Sequence, residues 1–184
     1  MELYEKTLNS KMLYDGKVIR VTLDEVELPD GKHAMREVVN HGGGVCIVAL
    51  DENNEIYFVR QFRYPYHEVV LEIPAGKLEK DGSTPLENGI RELKEEVGAI
   101  GKNYHFLGEL YPSPGYTSEI IYLYCCRVDS LGKDCPDEDE FLNVEKIPME
   151  KAVEMILQGE IKDSKTQTAV MKTYLLMQKG VLSL

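Results

Sequence analysis

Apolar and polar residues alternate along the first part of the chain. Ile19, Val21 and Leu23 share one face of an extended strand, and Val26 and Leu28 resume the alternation one step out of phase. Pro29-Asp30-Gly31-Lys32 is a turn signal in which Gly31 supplies a positive φ, and the return strand over about 34–40 completes a hairpin. Gly42-Gly43-Gly44 breaks that strand. Val45-Cys46-Ile47-Val48-Ala49-Leu50 is a continuous apolar run, the pattern of a strand buried on both faces. Asp51-Glu52-Asn53-Asn54 turns the chain, Ile56 to Phe62 returns, and Glu68 to Ile73 predicts a further strand that ends at Pro74-Ala75-Gly76. Tyr104–Tyr111, Glu119–Val128 and Glu140–Ile147 also read as strands.

The period changes at Thr84. Thr84-Pro85-Leu86-Glu87 is a capping box, with Thr84 at the N-cap, Glu87 at N3 and Pro85 at N1, where its missing N–H costs nothing. Leu86, Ile90, Leu93 and Val97 follow at helical spacing and form the expected core stripe, and Gly98 falls where a helix commonly stops. Two helices close the chain. One runs over about 149–158 and stops at Gly159; the other starts near Ser164, with Gln167 as the N3 member of a second capping box, and stops at Gly180. Strands, one internal helix, more strands and then helices make an α+β arrangement rather than an alternating βαβ one.

With 184 residues the chain fits one domain or one with a small appendage. No apolar run reaches the ~18 residues of a membrane span, and Met1-Glu2-Leu3-Tyr4-Glu5 has neither the basic nor the apolar part of a secretory signal. A cytoplasmic location is the expectation. The net charge of −11 argues against duplex nucleic acid as a partner, because phosphates reward a basic surface. Cys46, Cys125, Cys126 and Cys135 form no C-x-x-C pair, which points to reduced thiols rather than zinc or a disulfide framework.

Charge on the internal helix carries the candidate chemistry. Arg91 and Glu95 are i, i+4 and can pair, which leaves Glu92 and Glu96 stacked on one side with no basic neighbour of their own. One reading is a solvated acidic face. The other is a divalent-cation site, since hard carboxylate oxygens suit Mg²⁺ or Mn²⁺.

The surrounding residues favour the second. Gly76, Arg91, Glu92, Leu93, Glu95, Glu96, Gly98 and Ala99 resemble the Nudix box, G-x5-E-x7-R-E-U-x-E-E-x-G-U with U apolar. Two positions depart from it: one extra residue stands between Gly76 and Arg91, and the first box glutamate is missing, with Gly82 or Ser83 near its place. Further stretches resemble the ADP-ribose pyrophosphatase branch of that family. They are Arg60-Gln61-Phe62-Arg63-Tyr64-Pro65, Glu72 to Leu78, Ser113 to Glu119 with Pro114 lying 16 residues beyond Gly98, and Gly159 to Thr166.

The resemblance implies a Nudix fold, a mixed β-sheet sandwiched between helices, over 42–184, preceded by a small antiparallel sheet over 1–41 that pairs with a second subunit in a homodimer. It implies hydrolysis of the pyrophosphate of ADP-ribose, a small-molecule nucleoside diphosphate, with Mg²⁺ or Mn²⁺ as cofactor. Ala75, Glu92 and Glu96 would hold the metal, with Glu95 in support. A loop carboxylate would act as base, Glu140 ahead of Glu138, unless that run is only a solvated acidic loop. Arg36 and Arg63 are the candidate phosphate clamps, or else sheet salt bridges. Pro114, Gly115 and Glu119 would line the substrate. Tyr64, Tyr66 and Tyr116 can stack on a base or simply pack; His41 and His67 read as structural.

Overall fold

The computed structural model describes residues 3–132 and 141–184. They divide into two units, one of the residues up to Gly43 with Tyr111–Ile120, the other of Gly44–Leu110 with Ile121–Leu184.

In the smaller unit, β1 (Lys6–Asp15), β2 (Ile19–Glu27) and β3 (His33–His41) form an antiparallel sheet in that order. The β2–β3 hairpin is the expected one, paired from Ile19↔His41 to Glu27↔His33 around Gly31 at φ +80. Sequence reasoning missed β1. All ten of its residues are exposed, so it has no buried face to impose an alternation, and two register shifts interrupt what pattern it has. Tyr111–Ile120 is tied to β3 by Val39 N–H to the Tyr116 carbonyl (2.7 Å) and Ser118 N–H to the Val39 carbonyl (3.0 Å).

The larger unit is built on β4 (Gly44–Leu50), every residue of which is buried. Around it stand β5 (Glu55–Arg63), β6 (Glu68–Glu72), β7 (Ala75–Lys77), β8 (Ala99–Leu110), β9 (Ile121–Leu131) and β10 (Leu142–Pro148). The order is β10-β5-β4-β9-β8, with β6 added to β5 and β7 to β4. β4 and β9 run parallel and the other pairs antiparallel, so the sheet is mixed. A parallel pair needs cover on both faces, which is why β4 reads as an unbroken apolar run. Cys46, Val48 and Leu50 pack in one layer with Phe58, Ile73, α2 (Met149–Leu157) and α3 (Ser164–Gln178). Ile47 and Ala49 pack in the other with Tyr57, Val59 and α1 (Pro85–Val97). The result is the expected α+β sandwich.

The α1 capping box forms as read: Glu87 N–H donates to Thr84 Oγ1 (3.2 Å) and Thr84 N–H to Glu87 Oε2 (2.7 Å). The second one does not form. Asp163, one residue earlier than expected, caps α3 by accepting from Thr166 N–H (2.9 Å), and Gln167 turns away to donate to the Ile161 carbonyl (2.7 Å). Aspartate outranks a following serine here because a charged oxygen accepts more strongly from the exposed amides of a helix N-terminus.

Candidate active site

α1 buries only Leu93 and Val97 of the stripe expected of it. Ile90 is 37% exposed and Leu86 only half-buried, while Gly89, Glu92, Leu93, Glu96 and Val97 are buried. Gly89 explains the rotation: a Cβ there would lie 2.9 Å from Ile47 Cδ1 and 3.0 Å from Val45 Cγ2. The helix therefore approaches β4 along its glycine, and this turns Glu92 (9% exposed) and Glu96 (3%) inward. A solvated acidic face is excluded. Taking a carboxylate out of water costs several kcal/mol, so both are partnered. Glu92 Oε1 accepts from Arg91 Nη2 at 2.6 Å, which corrects the expectation of an acidic pair without a basic neighbour. Glu96 Oε2 accepts from Ala75 N–H at 3.0 Å.

That bond joins α1 to β7, which pairs with β4 through Cys46↔Ala75 and Val45↔Gly76. Gly76 is a glycine for a local steric reason, since a Cβ there would lie 1.9 Å from Glu92 Oε1 and 2.0 Å from its Cδ. The Glu92 carboxyl rests directly on the Gly76 backbone. Two buried carboxylates on successive turns thus meet the Ala75–Gly76 backbone.

The loop between β7 and α1 is held without the missing box glutamate. Asn88 Oδ1 accepts from Glu79 N–H (3.0 Å), and its Nδ2 donates to Ser83 Oγ (2.8 Å) and the Thr84 carbonyl (2.9 Å). Sequence reasoning gave Asn88 no part; its position inside a helix, where an amide is only a mild misfit, carried no signal. Arg91 pairs with Glu95 as expected and with Glu92, and lies 3.6 Å from Glu79.

Arg63 Nε and Nη2 each donate to Glu72 at 2.6 Å, a bidentate pair. The bond to Glu72 holds Arg63 more firmly protonated, against the opposing effect of burial, and Glu96 is among the charges that add to it. Burial would push Glu72 up, yet Arg63 and Lys165 hold it below the usual carboxylate range. Arg63 is still 39% exposed along its side chain, so another anion can approach it.

Other candidates belong to the smaller unit. Arg36, Pro114 and Gly115 line a cleft of about 530 Å³ with Met35 and Tyr116. Arg36 donates to both oxygens of Glu5, at 2.9 and 2.7 Å, so part of its fork is engaged within the unit. Glu119 Oε1 lies 3.5 Å from His41 Nδ1, which itself accepts from Gly43 N–H (3.1 Å), a structural use of His41. Tyr64, Tyr66 and Tyr116 are exposed, and His67 stacks edge-on against Tyr64 at 5.1 Å. Glu138, Glu140 and Cys135 lie outside the described residues; Cys46, Cys125 and Cys126 are free and buried. Among the described residues no three carboxylate, imidazole or thiol groups converge on a ready-made cage. Two buried carboxylates against the Ala75–Gly76 backbone still fit Mg²⁺, which is usually held by one or two carboxylates with substrate phosphates and water completing its shell.

Residues 40–168 match the NUDIX domain family, and residues 5–39 match the nucleoside diphosphate sugar hydrolase N-terminal domain. The chain is 38% identical to a methanol dehydrogenase activator of Bacillus methanolicus, over 96% of this chain and 95% of that one. It is also 38% identical to the ADP-ribose pyrophosphatase of Bacillus subtilis (strain 168), over 91% of each. A crystal structure of an ADP compounds hydrolase superposes with a TM-score of 0.83 over 99% of this chain and 100% of the other; at 19% identity it speaks to the fold. No helix among the described residues is long and apolar enough to cross a membrane.

Proposed function

Because the chain belongs to the Nudix hydrolase family, we propose that it hydrolyses the pyrophosphate bond of ADP-ribose to AMP and ribose 5-phosphate with a divalent ion, Mg²⁺ or Mn²⁺, as cofactor. The observation that carries this reading is the buried Glu92/Glu96 pair against the Ala75–Gly76 backbone. Identity to an ADP-ribose pyrophosphatase over 91% of both chains supports the substrate.

The pyrophosphate bridge carries two negative charges that repel an incoming water. A bound divalent ion supplies charge neutralisation and a bound water of lowered pKa. Glu92, Glu96 and the Ala75 carbonyl would hold it. Glu95 acts through Arg91, whose guanidinium keeps the Glu92 carboxylate on the Gly76 face. Arg63 takes phosphate oxygens, and Arg36, Pro114, Gly115 and Glu119 serve the nucleotide or its sugar. Glu140, or Glu138 beside it, takes the proton of the attacking water at a carboxylate oxygen. The edge strand β1, with Leu8, Met12 and Tyr14 exposed, supports a homodimer joined through the small sheet. The buried free thiols suit the reducing cytoplasm.

The test is AMP release from ADP-ribose in Mg²⁺, beside GDP-mannose, other nucleotide sugars and dinucleotides. Glu96→Gln should lower kcat by at least ~10²-fold while the protein still melts cooperatively. Unchanged turnover would remove the pair from the mechanism. Cleavage of another panel member in preference to ADP-ribose would keep the site and replace the substrate. Tight ADP-ribose binding without cleavage in either ion would make the chain a sensing module instead.

A further inference from the structure

The larger unit holds a buried ion cluster of which the reading above uses only Arg63. Lys165, on the first turn of α3, is buried; its Nζ pairs with Glu72 and lies 3.2 Å from Asp163 Oδ2. Glu72 is 2% exposed and already accepts both donors of Arg63. Beside it, Ile73 N–H donates to Thr166 Oγ1 at 3.0 Å, and Thr166 is itself fixed by the Asp163 cap. The Pro74 carbonyl accepts from Ile47 N–H at 3.0 Å, and Ala75 N–H meets Glu96. Every backbone step from Ile73 to Ala75 therefore has one fixed partner, and α3 supplies the first of them.

A buried ion cluster stabilises little beyond what well-packed apolar side chains of the same volume would give. Stability alone is then a weak reason for two cations and two anions to sit here. What the cluster fixes is direction. Arg63 Nε takes Glu72 Oε1, while Arg63 Nη2 and Lys165 Nζ share Oε2, so the carboxylate that sets the plane of the Arg63 fork is itself held by Lys165. Thr166 pins the segment that leads into β7.

We propose that Lys165 is a positioning residue for the hydrolysis: through Glu72 it aims the Arg63 guanidinium at a phosphate of the substrate, and with Thr166 it sets the turn that presents Ala75 to Glu96. This rests on the hydrolase reading above. Outer partners of this kind typically change activity or ligand affinity by ~10–100-fold when removed.

The experiment compares wild type, Lys165→Met, Arg63→Ala and the double variant. It measures kcat and KM for ADP-ribose, AMP affinity by calorimetry, and melting. Lys165→Met should melt cooperatively and lose at least about tenfold in kcat/KM, with AMP bound more weakly. Because it acts through Arg63, the double variant should lose much less than the product of the two single losses. Lys165→Arg, which keeps the charge, should recover part of the loss. A folded Lys165→Met with wild-type kinetics, or losses that multiply fully with those of Arg63→Ala, overturns the proposal. Should Lys165→Met not fold, Thr166→Val removes only the acceptor for Ile73; several-fold loss of kcat is expected, and wild-type kcat overturns the proposal. If the wild type is inactive across the nucleotide panel, the hydrolase reading fails first. AMP affinity then decides: several-fold weaker binding in Lys165→Met still supports the aiming of Arg63, and equal binding overturns it.

Discussion

Replacing Gly76 with alanine adds one methyl group at the point where α1 and β7 meet. That methyl would stand 1.9 Å from Glu92 Oε1, 2.0 Å from Cδ and 2.4 Å from Cγ. Ordinary contact begins near 3.4 Å, so the carboxyl must withdraw by about 1.5 Å. Gly76 is not among the residues at positive φ, so the backbone itself accepts alanine. The cost in stability is overpacking of ~1–3 kcal/mol, offset by ~0.4–1 kcal/mol from the stiffer unfolded chain. The net is about 0–2.6 kcal/mol, which a cooperative fold survives. The site tolerates far less. Metal–ligand distances hold to within ~0.2 Å, and misplacing a group by ~1 Å can cost ~10²-fold in rate. The withdrawing carboxyl also leaves Arg91 Nη2, now 2.6 Å away. We expect Gly76→Ala to fold and to lose ~10²-fold or more in kcat/KM for ADP-ribose, with weaker Mn²⁺ binding by calorimetry. Gly42→Ala, where the added methyl meets nothing within 4 Å, is the matched control and should remain near wild type. A folded Gly76→Ala within twofold of wild type in both rate and metal affinity would refute the role given to this contact.

Asn88→Ala should lower stability by ~2–3 kcal/mol, because it removes one acceptor and two donations that tie the loop over 79–84 to α1; a melting temperature equal to wild type would show that the loop is held elsewhere. Asp51 is buried beneath the β4–β5 turn; burial pushes its carboxyl up, but Lys146 and the N–H groups of Glu55 and Asn53 hold it below the usual range. A depressed folded value means that the stabilisation is complete above the unfolded value of 3.8 and is lost as pH falls through the folded one. Asp51→Asn should therefore melt below wild type at pH 7, with the gap closing at acid pH below that value; a gap that stays constant across the titration would contradict the assignment.

The parts of this molecule that were legible in sequence are those whose cause is local. The α1 cap needs only Thr84, Pro85 and Glu87, all within one turn, and the structure forms it as written. The burial of β4 on both faces follows from six consecutive apolar residues. The α3 start at Ser164 was legible, but its cap was missed by one residue because Asp163 and Ser164 are both good caps, and the charged oxygen of Asp163, which also faces Lys165, prevails. β1 escaped because an exposed strand has no face to alternate against, and β7 because three residues are too few to show a period.

The misreading of α1 is of another kind. A hydrophobic stripe finds the buried face of a helix only when that face is apolar. Here Gly89 lets the helix sit close on β4, and the arc that becomes buried includes Glu92 and Glu96, while Ile90 is left at the surface. Apolar patterning thus fails at the candidate site itself, where polar groups must be buried for chemistry and the local rules are expected to conflict with the fold. The signal that could have found the correct face was Gly89, a costly residue for a helix interior that becomes informative once its lack of a side chain is taken as the reason for it. The Arg63–Glu72–Lys165 cluster had no such signal. Two of its members are nine residues apart across a strand pair, and the third arrives from 93 residues away. Arg63 alone in the sequence is a surface cation or a clamp; only the carboxylate behind it makes it a clamp with a direction.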